Sequence, residues 1–146
     1  MKDGYTGYTR FWMASSTVLM SFAVAAVTWL VSMGALYYVD WSDIINFRDE
    51  VSMWISSVIT VVVFCVTLAK RWNSLASVKL HTTEIMIGVL IILIGAGYFY
   101  AGANYEGGQM LGGLLELLLG MYLAATGLLS VIAGGIGWFA IRLSRE

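Results

Sequence analysis

The sequence predicts an all-α integral membrane protein with four transmembrane helices, both termini cytoplasmic and a short interfacial helix in the first outer loop. Three observations predict it. The chain of 146 residues is 60% hydrophobic and 12% charged, with no proline, whereas an ordinary soluble domain carries about twice that charged fraction. Its apolar residues fall into four long charge-free runs. Its basic residues collect on one side of those runs.

The four runs are Phe11–Val39, Val51–Ala69, Ile85–Tyr105 and Leu117–Ile141. With their flanks they predict spans over residues 11–39, 51–69, 84–105 and 114–141 of a single domain. A helix needs roughly 20 apolar residues to cross a hydrocarbon core of about 30 Å. In lipid every backbone N–H and C=O must find its partner within the segment, so each run is a helix. The first run is long enough to tilt or to emerge from the bilayer. It has a basic start and an Ala23-Val24-Ala25 triplet like a cleavage site, but its apolar stretch continues well past that point, so it is expected to remain as a span.

Lys2 and Arg10 precede the first run, Lys70, Arg71 and Lys79 lie between the second and third, and Arg142 and Arg145 follow the fourth. The other two connections hold only Arg48, so the ends and the middle loop are expected on the cytoplasmic side. Tyr37, Tyr38, Trp41, Trp54, Tyr98, Tyr100 and Tyr105 then fall near the outer boundary, and Phe11, Trp12, Trp72 and Trp138 near the inner one. Two aromatic belts are what a four-span chain should show. The expected localisation is the cell membrane, inner or plasma.

Several classes are excluded. A net charge of −1 leaves no basic footprint for nucleic acid. The single cysteine, Cys65, gives no intramolecular disulfide and no cysteine-based metal site. It is expected to be an inert thiol in apolar surroundings. The single histidine, His81, cannot provide bis-histidine haem ligation. It is expected at the entry of the third span, beside Thr82, Thr83 and Glu84, as part of a capping group. No metal, no cofactor and no catalytic constellation is expected. The Gly107-Gly108 and Gly112-Gly113 pairs lack the following Lys-Ser/Thr of a phosphate-binding loop.

The most ordered pattern is a row of glycines on the fourth span, Gly113, Gly120, Gly127 and Gly134, each seven residues apart. That step keeps to nearly one helix face, drifting about 20° each time. Small residues on one face let another backbone approach closely. The partner is either a neighbouring span of the same chain or another subunit. The first two spans carry small polar stripes instead: Thr17, Ser21, Ala25, Thr28 and Ser32, then Ser56, Thr60 and Thr67. Their hydroxyls can return to carbonyls of their own helix, bond across helices, or line a path. Glu116 shares the glycine face and is expected at the outer interface or, if the helix begins near Met110, inside the span. An acidic residue inside a membrane marks ion linkage by default; a span starting near Leu119 would instead leave it at the outer interface.

The outer segment from Asp40 to Glu50 resembles a short interfacial helix, with Asp40 as cap and Trp41, Ile44 and Ile45 on an apolar face. Trp41 to Leu80 is similar to the small four-span subunits of tripartite substrate-binding-protein-dependent transporters. The likeness consists of an acidic, Trp-containing turn, a span beginning Asp49-Glu50-Val51-Ser52 and a basic loop. It covers about a quarter of the chain, the glycine-rich second half departs from it, and no family is assigned on it.

The leading expectation is a non-catalytic accessory subunit. It would pack against other membrane-protein subunits or copies of itself, through the glycine face and the polar faces of the first two spans. The alternative is a small oligomeric channel or transporter with a path near Glu116.

Overall fold

The computed structural model describes residues 7–37, 48–74, 77–105 and 110–144, and all regular structure among them is helical. The helices are α1 (Gly7–Tyr37), α2 (Arg48–Trp72), α3 (Val78–Ala103) and α4 (Met110–Leu143). Each is long and apolar enough to cross a membrane. The expected interfacial helix at Asp40, Trp41 and Asp43, and the Gly107-Gly108 pair, lie outside the described residues.

The helices exceed the predicted spans chiefly at one end. α3 begins at Val78, because the Ser77 side chain caps it by accepting from the Leu80 N–H (3.3 Å). His81 and Glu84 therefore lie inside α3. This corrects the expectation that they sit at its cap. α4 begins at Met110 and not near Leu119, so Glu116 is within the helix, where it is half-buried.

The helices run alternately up and down. Phe22 stacks on Phe64, with ring centroids 5.0 Å apart, joining α1 to α2. Ser16 Oγ donates to the Ala133 carbonyl (2.5 Å) and Tyr122 Oη to the Ala26 carbonyl (2.8 Å), joining α1 to α4. α3 packs on α4, so the spatial order is α2–α1–α4–α3. α1 and α3 start, and α2 and α4 finish, at one end, which also carries Arg10, Lys70, Arg71, Lys79 and Arg142; we call it the basic end.

The interior is small and polar while the exterior is large and apolar. Ser16, Thr17, Ser21, Ser52, Ser56 and Ser130 are buried, yet Val61, Met86, Leu93 and Leu115 are exposed. Such an arrangement is unstable in water and natural in lipid, where apolar side chains gain nothing by turning inward. The larger buried apolar groups form two small clusters, Met13 with Ala140 and Ile141, and Met20 with Ala23 and Ala133.

The α3/α4 interface is built from glycine on both sides. Gly88, Gly95 and Gly102 of α3 face Gly127, Gly120 and Gly113 of α4, and Gly134 abuts the backbone of His81. A Cβ placed on any of these seven would meet its nearest neighbour at 2.5–2.9 Å, closer than real contacts allow. The α4 row predicted from sequence is thus spent on a helix of the same chain. The matching row on α3, also in steps of seven, was legible in the sequence and is absent from the expectations above. Gly34 and Gly97, by contrast, face open space.

Candidate functional site

Hydroxyls of the predicted polar stripes mostly return to their own helix. Thr17 donates to Met13 O, Ser21 to Thr17 O (2.8 Å), Thr28 to Val24 O (2.8 Å), Ser32 to Trp29 O (3.1 Å) and Thr60 to Ser56 O (2.7 Å). These bonds satisfy the hydroxyls without help from a neighbour. Ser52 and Ser56 are fully buried on the α1 side of α2, and their hydroxyls have no hydrogen-bond partner among the described residues. Buried faces of this kind are closed to a second protein. In this structure the glycine face and the buried parts of these stripes are covered by helices of the same chain.

The chemistry-bearing residues that converge lie elsewhere, near the basic end. Arg71 in the last turn of α2 forms an ion pair with Glu84 of α3, and both side chains are buried, at 8% and 3% exposure. His81, one helical turn before Glu84 and fully buried, places Nδ1 3.0 Å from the other carboxylate oxygen. The imidazole is pressed against Gly137 of α4, where a Cβ would overlap the ring. Ser130 Oγ lies 3.1 Å from the Glu84 carbonyl oxygen and 3.1 Å from Met20 Sδ, so its single proton is shared between α3 and α1. All four helices thus meet at this cluster.

The physical reason for the convergence is charge. A carboxylate or guanidinium alone in hydrocarbon is costly, and the cost falls when opposite charges pair with good geometry. Glu84 uses one oxygen for Arg71 and the other for His81. Arg71 Nε and Nη2 are also buried, with no hydrogen-bond partner among the described residues. The cluster forms the polar link between α2 and α3, helices that otherwise pack on α1 and α4 respectively.

Sequence reasoning did not find this site, having singled out Glu116 as the residue for ion linkage. Lys70 closes the second charge-free run and Glu84 precedes the third, so Arg71 was read as a loop residue and Glu84 as a boundary residue. Glu116 lies toward the opposite end of α4, on the order of 20 Å along the helix axis from the level of Glu84. No group of three metal-ligating side chains occurs among the described residues. Cys65 is exposed on α2.

A cleft of about 190 Å³ runs between α1, α3 and α4 on the far side of Ser130 from the basic end, lined by Met20, Ala23, Thr28, Ile87 and Ile91. Its hydroxyls, Thr28 and Ser130, are already engaged. No protein-family model, curated protein or solved structure matches the chain.

Proposed function

We infer that this chain is a non-catalytic integral-membrane subunit of a cell membrane, inner or plasma, with both termini cytoplasmic. In this reading it packs into a larger membrane assembly through the outer faces of α2 and α3. The supporting observation is how little of α2 and α3 the chain itself covers. In an apolar 18-residue stretch of each helix, about 33% is buried in α4 and 22% in α1, but only 17% in α3 and 11% in α2. Each edge helix is held along one face and offers the remainder to its surroundings. Outward-facing Val58, Val61 and Val62 on α2, and Met86, Leu90 and Leu93 on α3, suit either lipid or a neighbouring helix. Native mass spectrometry of the protein extracted in mild detergent from its own membrane tests the reading. It expects this chain with defined partners or copies of itself; a monomer alone, under conditions that preserve other complexes, overturns it.

A second reading, a small oligomeric transporter or channel, draws support from the buried charges, since ionisable groups within membranes commonly mark ion or proton sites. It keeps Glu116 as a path residue and adds Glu84. Liposomes holding only this protein would then pass ions or small solutes, and Glu116→Gln or Glu84→Gln would reduce the flux. Under the accessory reading the same liposomes are tight.

A further inference from the structure

The α3/α4 interface is periodic, and a periodic interface admits more than one register. Gly88, Gly95 and Gly102 lie against Gly127, Gly120 and Gly113. Because both rows step by seven, sliding α3 one step brings Gly88 to Gly134, Gly95 to Gly127 and Gly102 to Gly120. Close backbone contact survives at three glycine pairs after a displacement of roughly 10 Å. Packing of small residues cannot by itself choose between the two arrangements, and lipid supplies no hydrophobic drive that would.

We propose that the Arg71–Glu84–His81–Ser130 cluster is the register lock of this glycine zipper, and that releasing it yields a second packing with α3 slid by one seven-residue step. Three features bind the cluster to the present register. His81 occupies the place in the α3 row where the period calls for a fourth glycine, and its ring fits only because residue 137 is glycine. The Ser130 hydroxyl meets the Glu84 carbonyl only at this alignment. The Glu84 carboxylate reaches Arg71 on a helix that does not move with the slide. In the slid packing Glu84 moves to the level now held by Ser77, beyond the reach of Arg71 and toward the basic end, where water can solvate it. A polar group that fixes the register of an otherwise degenerate helix pair is a known use of buried polarity.

The test is the distance between two spin labels. Tyr100 of α3 and Leu115 of α4 are 72% and 70% exposed, and they lie at the same level across the zipper. Labels are attached through Tyr100→Cys and Leu115→Cys in a Cys65→Ser background, and distances are measured by pulsed electron paramagnetic resonance in lipid nanodiscs. A single distribution is expected for this parent. Arg71→Met with Glu84→Leu removes the lock without stranding a buried charge. It is expected to add a second population whose axial offset is about 10 Å larger. Adding Gly113→Leu, which blocks the present register against Tyr105, is expected to move most molecules into the second population. Gly137→Ala unseats His81 with both charges retained, and it gives the second population independently should the charge variant fail to fold. A single unchanged distribution in the charge variant and in Gly137→Ala overturns the proposal.

Discussion

Gly120→Ala is the sharpest perturbation of the fold. The added Cβ would lie 2.5 Å from Phe99 N, 2.6 Å from Gly95 O and 2.9 Å from Phe99 Cα. All three are backbone atoms, so no side chain can rotate out of the way. Ordinary contact distances are about 3.5–4.0 Å, so α3 must retreat by about 1 Å, and a gap of that size forfeits a quarter to a half of each dispersion contact beside it. Overpacking typically costs about 1–3 kcal/mol, and immovable neighbours put this site near the upper figure. About 3 kcal/mol lowers the folded-to-unfolded ratio on the order of a hundredfold. Gly97→Ala, on α3 with nothing within 4 Å, is the control. It should be neutral or stabilising, since alanine exceeds glycine in helix propensity by up to about 1 kcal/mol. Equilibrium unfolding in mixed micelles of mild and denaturing detergent measures both. If Gly120→Ala falls within about 0.5 kcal/mol of the parent, or Gly97→Ala costs as much, the zipper does not hold α3.

Three further outcomes use the same unfolding measurement. Glu84→Gln leaves Arg71 buried without its anion and should cost about 3–5 kcal/mol, whereas Arg71→Met with Glu84→Leu should recover most of that loss. Tyr122→Phe deletes the 2.8 Å bond to the Ala26 carbonyl; about 0.6 kcal/mol, the average for such bonds between transmembrane helices, is the expected cost. Glu116→Gln should change stability by less than about 0.5 kcal/mol, because Glu116 is only half-buried and belongs to none of the ion pairs among the described residues.

The four helices were legible in the sequence because lipid imposes a length and an absence of charge that few other contexts demand. Their ends were less so. Run-counting stops at any charge, and Glu84 is a charge that α3 carries well inside its first turns. What allows it is Arg71, on another helix, and no local pattern announces which helices will be neighbours. The glycine row on α4 could be read directly from its spacing, and the row on α3 could have been found by the same search. The heptad there is harder to see because His81 stands in its fourth place. Spacing places the hydroxyl stripes along helix faces, but where each hydroxyl bonds depends on a side-chain rotamer that spacing does not encode. Ser21 and Thr28 turned back on their own helices, while Ser16 and Ser130 reached across.

The order of the cluster along the chain bears on how the protein is made. Synthesis proceeds from the N-terminus, so α3 enters the bilayer before α4, the helix whose glycines seat it, has emerged from the ribosome. During that interval a bare carboxylate would carry a penalty on the order of 2.5–3.5 kcal/mol at the centre of a helix, less toward its end. Arg71 sits on the helix just completed, a short turn upstream, and can neutralise Glu84 as soon as α3 appears. The nascent chain thus brings its counter-ion with it, and insertion of the third helix need not wait for the fourth.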